Sequence, residues 1–300
     1  MGLAVNLGIP GKTHRFKEER HMSVTDETAR LSTLGALFDV RGLGVIVTGG
    51  GSGLGLSMGS ALARAGASVT LVDVAEERLA TAQKGLKEEG IGVLTEVMDV
   101  TNAEEVDHVF GQVSASQSGL QVVFANAGIT AGIGPRLESG RLVNVEPERW
   151  SSVLDVNLTG VMNTMAGAAK HIKPGYGRII VTSSVGGIRA DPMVGYAYAA
   201  SKAGVVALVR NAALELAGSN ILVNAIAPGL FSTNIRKANP SAEAMTADFA
   251  KIPALKRAGD LSELEGLAVY LASPASSYVT GTVISIDGGA SITHPLEVAD

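Results

Sequence analysis

The amino-acid sequence predicts an α/β fold in which one parallel sheet carries helices on both faces. Three observations support this. Short, almost wholly apolar runs alternate with longer amphipathic or alanine-rich stretches, a pattern of strands buried on both faces and joined by helical crossovers. Polar and glycine-rich residues gather just after the apolar runs, where an open α/β sheet binds its ligands. The 37 glycines and the low aromatic content of 4% suit close packing of elements around an aliphatic core.

The elements follow in order. Residues 43–47 are a β-branched run ending in Thr48-Gly49 and form the first strand. Residues 49–55 are a glycine-rich turn, and 54–65 a helix stopped by Gly66. A second strand, 67–72, ends at Asp73, and a charged amphipathic helix over 75–89 stops at Gly90. Residues 92–98 are the third strand with Asp99 at its end, 103–116 a helix, and 120–125 the fourth strand, ending in Asn126-Ala127-Gly128. After an irregular stretch, Pro147 opens a helix that runs through Asn157 toward His171. The fifth strand, 177–182, precedes Ser183-Ser184, and a helix spans 195–217. The sixth strand, 221–226, leads to Ala227-Pro228-Gly229. A helix over 262–271 and a last strand over 283–286 complete a seven-stranded sheet. One domain over residues 37–300 accounts for all of this. Residues 1–36 form an N-terminal arm outside it, with a helix near residues 25–38.

Composition narrows the function classes. The formal charge is −5 without blocks of like charge, so neither nucleic acid nor a membrane surface is an expected partner. There is no cysteine, which excludes disulfides and thiolate metal sites. The five histidines lack metal-ligand spacing, so no metal is expected. No uncharged apolar run reaches spanning length. The arm has no secretory pattern, and its acidic residues argue against a transit peptide, which leaves the cytoplasm as the expected location.

Two constellations carry chemistry. In Thr48-Gly49-Gly50-Gly51-Ser52-Gly53-Leu54-Gly55, a strand leads through a glycine turn into a helix. Glycines let the backbone turn tightly and approach a pyrophosphate, whose charge the helix N-terminus favours. Asp73, at the end of the next strand, can take a ribose 2′-hydroxyl; its other reading is a cap for the helix that follows. In Tyr198-Ala199-Ala200-Ser201-Lys202, phenol and ammonium share one helix face. The ammonium favours the phenolate, which makes the pair a proton donor and acceptor for an alcohol or carbonyl.

Together with ANAG at 125–128, VNLTG at 156–160, SSVGG at 183–187 and APGLFST at 227–233, these motifs resemble the short-chain dehydrogenase/reductase family in its usual short form. They stand in family order across residues 37–290. The three residues between Tyr198 and Lys202 differ from the wider gap of enoyl reductases. The resemblance implies a Rossmann-type domain, a homotetramer and a set of roles. Tyr198 would be the general acid and base. Lys202 would lower its pKa and bind the nicotinamide ribose, Ser184 would hydrogen-bond the reacting oxygen, and Asn157 would hold a relay water. Gly49, Ser52, Gly53, Leu54 and Gly55 would form the pyrophosphate turn. Asp99 and Val100 would flank adenine, Asn126 and Gly128 would lie near the ribose, Pro228 and Gly229 would face the crevice, and Thr233 would contact the carboxamide. NAD is the expected cofactor: Asp73 repels a 2′-phosphate, and Ser52 and Val74 supply no counter-charge. Hydride transfer between NAD and a secondary alcohol or ketone is the implied reaction. An NADPH-dependent carbonyl reductase and a non-catalytic NAD-sensing regulator stand as alternatives.

Three stretches depart from the family's pattern, one of them the C-terminal tail over residues 290–300, which overshoots the family's usual end. Residues 129–145 are longer than its usual connection and either rim the substrate pocket or form a plain surface loop. Ser184 and Tyr198 lie one residue further apart than the pattern has them. The arm supplies the first prediction: deleting residues 1–21 should leave folding and turnover nearly intact. Aggregation, or a changed elution volume on sizing, would show that the arm packs on the domain or on a neighbour.

Overall fold

The computed structural model describes residues 33–116, 119–130, 132, 134–232 and 252–293. The chain divides into two units, Met1–Ala36 and Leu37–Asp300. Of the helix expected near 25–38, residues 33–38 are described, and 33–37 of them are helical.

The larger unit alternates strand and helix as expected. The strands are β1 (Gly44–Thr48), β2 (Ser68–Asp73), β3 (Leu94–Val97), β4 (Val122–Ala125), β5 (Gly177–Thr182), β6 (Ile221–Pro228) and β7 (Val283–Ile286). The helices are α1 (Gly53–Arg64), α2 (Glu76–Glu88), α3 (Ala103–Ala115), α4 (Pro147–Leu154), α5 (Gly160–His171), α6 (Tyr196–Leu216) and α7 (Ser262–Ala272). The strands form one parallel sheet in the order β3-β2-β1-β4-β5-β6-β7.

Side chains alternate across the sheet with period two. Val45 and Val47 share a face with Phe124, Ile180 and Ile226, and α1, α2 and α7 cover it through Met58, Leu62, Leu79 and Leu264. Ile46 shares the other face with Val123, Ile179 and Val223, covered by α3, α5 and α6 through Phe110, Val161, Met165 and Val209. Both faces are dry across the central strands β1, β2, β4, β5 and β6, which is why these read as nearly continuous apolar runs.

Strand order reverses between β1 and β4, and such a switch point leaves a crevice beyond the carboxyl ends of the strands. Three departures bear on it. The helix expected from Pro147 toward His171 is interrupted by a π-helical turn over Asp155–Thr159 that contains Asn157. β6 runs on to Pro228, because β7 pairs with Ala227 and Pro228. Asp73 does not cap α2: the cap position is Ala75, whose N–H donates to Asp73 Oδ1 at 3.0 Å.

Candidate active site

The crevice is built from main chain first. Gly49 and Gly53 adopt φ of 63° and 56°, the left-handed region that glycine tolerates. Gly50 N–H donates to Val72 O at 2.9 Å, and Gly51 N–H to Asp73 Oδ2 at 3.3 Å. A Cβ on Gly51 would lie 2.9 Å from Arg78 Cβ and 3.0 Å from Asp73 Oδ2. Gly55 packs against Gly49 O and Asn126 Nδ2. The glycines therefore let the turn nest between β2 and Asn126. Arg78 Nη1 stands 3.8 Å from Asp73 Oδ1.

Asn126 ties three strands together. Its Nδ2 donates to Thr48 O at 3.1 Å and Gly49 O at 3.3 Å. Its Oδ1 accepts from Thr182 Oγ1 at 3.0 Å, and its N–H donates to Thr48 Oγ1 at 3.0 Å. Asp99 holds its own turn, accepting at 2.8 Å from both the N–H and the hydroxyl of Thr101.

Tyr198 and Lys202 sit one turn apart on α6, with Lys202 Nζ 5.8 Å from the Tyr198 ring centroid. The Lys202 side chain is 3% exposed and donates to Thr182 O at 2.7 Å. Loss of hydration disfavours the ammonium and pulls its pKa from 10.5 to about 8. Asn157 is fully buried, and its amide brackets Ile129: Oδ1 accepts from Ile129 N–H at 2.7 Å, and Nδ2 donates to Ile129 O at 2.8 Å and to Ser201 Oγ at 3.4 Å. A Cβ on Gly128 would come within 3.2 Å of Asn157 Oδ1 and 3.5 Å of Lys202 Nζ, so the loop after β4 runs directly over the lysine. The two serines divide. Ser183 Oγ donates to Lys202 O at 2.9 Å, whereas Ser184 Oγ accepts from Gly186 N–H at 3.1 Å and keeps its own proton to give.

The family model described as enoyl-(acyl carrier protein) reductase matches residues 49–291. The chain belongs to the short-chain dehydrogenase/reductase family. It is 38% identical over 247 residues to the 3-oxoacyl-[acyl-carrier-protein] reductase FabG of Thermotoga maritima, covering 81% of this chain and 96% of that protein. It is 33% identical over 258 residues to the 5-keto-D-gluconate 5-reductase of Escherichia coli K12, covering 84% and 97%. The crystal structure of a short-chain type dehydrogenase/reductase from Mycobacterium marinum superposes with a TM-score of 0.77 at 32% identity, covering 85% of this chain and 98% of that one. The protein is thus an oxidoreductase of a family whose cofactors are nicotinamide dinucleotides.

In this dehydrogenase/reductase a cavity of about 570 Å³ brings together Gly49, Ser52, Leu54, Asp73, Asp99, Val100, Asn126, Gly128, Tyr198 and Lys202. Gly53, Gly55, Asn157, Ser184, Pro228 and Gly229 do not line it. Gly53 and Gly55 shape the turn from behind, and Pro228 and Gly229 join β6 to β7, with Gly229 N–H donating to Ile286 O at 2.9 Å. Thr233 and residues 294–300 of the C-terminal tail lie outside the described residues. Thr182, Ser152 and Asp155 line the cavity without having been expected there. Thr182 acts through a main-chain carbonyl, which no side-chain pattern announces, whereas the i, i+3 spacing of Ser152 and Asp155 could have placed both on one face. Of the long connection, Ile129 and Thr130 line this cavity. Further along, Gly134 N–H donates to Met193 O and Arg136 N–H to Pro192 O, both at 3.2 Å. The connection is therefore joined to the loop between Ser184 and Tyr198.

Proposed function

We propose that the protein transfers hydride between NAD(H) and a secondary alcohol or ketone, with Tyr198 as general acid and base. The observation that carries this reading is one cavity lined at once by the glycine turn, Asp73, Tyr198 and Lys202.

The residues present suit a dinucleotide. Asp73 is 6% exposed and accepts from Gly51 N–H and Ala75 N–H. A carboxylate offers about four acceptor sites, so two remain for ribose hydroxyls. The turn presents no side chain between Gly49 and Gly51, which suits close approach of a pyrophosphate. Bound NAD supplies the hydride acceptor, or in reduced form the donor.

The chain supplies position and proton transfer. Tyr198 takes the alcohol proton during oxidation and returns it during reduction. The Lys202 ammonium favours the phenolate by its charge. Ser184 donates a hydrogen bond to the reacting oxygen. The Asn157 side chain is committed to Ile129 and Ser201, so a relay water there would be held by main chain. Reduction of a ketone, rather than of an enoyl double bond, is favoured by the three-residue gap between Tyr198 and Lys202. A cytoplasmic homotetramer completes the reading: the location rests on the composition of the arm, and the assembly on the family resemblance alone.

NADPH-dependent carbonyl reduction is the second reading. Arg78 favours it, as a half-exposed cation lining the cavity 3.8 Å from Asp73. One experiment separates the two: kcat/KM with NAD(H) and NADP(H) over a panel of secondary alcohols and ketones, followed by NADH absorbance. A 2′-phosphate beside the buried Asp73 carboxylate meets like charge in a partly desolvated cleft. The unmodified enzyme is therefore expected to prefer NAD strongly, and Asp73→Ser to relax that preference. Comparable efficiency with both cofactors before mutation would overturn this role of Asp73.

A further inference from the structure

Among the described residues, Lys202 is the one lysine that is buried. A lysine carries its charge at the end of a flexible four-carbon stem. That charge acts on Tyr198 from a fixed place only if both ends of the residue are held. The far end is held by Thr182 O, which accepts from Nζ at 2.7 Å. The near end is held by the next residue of the chain: Ser183 Oγ donates to the Lys202 main-chain carbonyl at 2.9 Å. Ser183 is 1% exposed. Its N–H donates to Ile226 O at 2.8 Å, so the hydroxyl is mounted on the sheet. The turn that follows presses on the same carbonyl: a Cβ on Gly187 would stand 2.6 Å from the Lys202 carbonyl carbon and 2.7 Å from its oxygen.

The helix does not need the serine bond. Lys202 lies inside α6, where each carbonyl receives the N–H four residues on. The Ser183 hydroxyl is thus a second donor to an oxygen already in use. An alanine at this position would leave the helical ladder whole and strand no donor. What the bond adds is location. It ties the backbone of Lys202 to the end of the strand whose carbonyl takes the ammonium.

We propose that Ser183 is a positioning residue for proton transfer: through the Lys202 carbonyl it sets how far the ammonium stands from Tyr198, and with it the acidity of the phenol. This deepens the reading of Tyr198 as general acid and base and rests on it. Nζ lies 5.8 Å from the Tyr198 ring centroid. The other charged groups lining the cavity are Asp73, Arg78, Asp99 and Asp155. Arg149 stands on α4, and Arg189 and Asp191 on the loop before α6. The single hydroxyl proton of Ser183 goes to Lys202, so a change at Ser183 reaches the phenol by way of Lys202. The two groups titrate as a pair, each favouring the charged form of the other. A unit charge about 6 Å away shifts a pKa by about 2 units at an effective dielectric of about 20, and by about 0.3 unit less for each ångström of retreat.

The test titrates tyrosinate ultraviolet absorbance with and without saturating NAD, and takes the Tyr198 curve as the difference between each protein and its Tyr198→Phe counterpart. Ser183→Ala should raise the Tyr198 pKa by about 0.3 unit or more, and by less than Lys202→Met, which removes the charge and should raise it by about 2 units. In a Lys202→Met background, Ser183→Ala should have no further effect, because the group through which it acts is gone. With a secondary alcohol that the wild type oxidises, the rise of kcat with pH should move upward by the same step in Ser183→Ala. An unmoved Tyr198 pKa in Ser183→Ala, or an equal shift with and without Lys202, overturns the proposal. Failure of Ser183→Ala to fold would show the serine to be a structural group and would also overturn it. A shift on titration that vanishes in the Lys202→Met background, without turnover of any alcohol or ketone, supports Ser183 as the group that places Lys202 and defeats the hydride-transfer reading instead.

Discussion

Tyr198→Phe is expected to lower alcohol oxidation by about 10²–10⁴-fold, the usual contribution of a positioned general acid and base, while NADH affinity changes little. The substitution removes one hydroxyl and keeps the ring against which Lys202 stands. Lys202 is held by Thr182 O rather than by the phenol, so the ammonium stays in place. The cavity surface contributed by Gly49, Asp73 and Asn126 is untouched. Steady-state rates together with a fluorescence titration of NADH check both halves. Near-wild-type turnover would assign the proton to another group.

The second large effect belongs to Lys202 and is read as stability against pH. Burial lowers its pKa from 10.5 to about 8. Between those values the unfolded chain binds the proton and the folded chain does not, so stability rises with pH across that window and the gain is complete above 10.5. The displacement corresponds to about 3 kcal/mol at roughly 1.4 kcal/mol per pH unit. Denaturant unfolding at pH 7 and near pH 10 should therefore show the wild type gaining on Lys202→Met by about that amount as pH rises. Parallel pH profiles for the two proteins would mean that the ammonium is well solvated before ligand binds. The same variant tests function. Without the neighbouring charge the phenolate is harder to form, so the rise of the oxidation rate with pH should move upward, and affinity for NAD should drop with the lost ribose contact.

Much of this architecture is legible in the chain because both sheet faces are dry. Residues 177–182 and 283–286 delimit β5 and β7 as observed, since their apolar runs end where the pairing ends. The edge strand is less well marked. Residues 92–98 read as strand, but only Leu94–Val97 pair with β2, and Leu94 and Val97 are exposed on what is the edge strand among the described residues. The π-helical turn escapes sequence reading because one extra residue in a helix leaves the apolar spacing on either side nearly intact. Within the site, glycines, Asp73, Tyr198 and Lys202 announce themselves by spacing. The partners that hold them do not: Thr182 O and the Ile129 peptide are main-chain groups whose positions only the fold supplies. The choice between Ser183 and Ser184 likewise turns on a bond from Ser183 to the main chain of Lys202, nineteen residues on.

The Asn126 amide has a consequence for how small molecules come and go. It fastens Thr48 and Gly49 at the end of β1 to Thr182 at the end of β5, across the very place where the strands diverge. A dinucleotide cannot be admitted there by prising the strands apart, because three buried or half-buried hydrogen bonds would have to break together. Access falls instead to the segments that line the crevice, Arg78 and residues 129–130 among them. The floor of the crevice thus behaves as a fixed bench, and any gating of turnover falls to the segments around its edge.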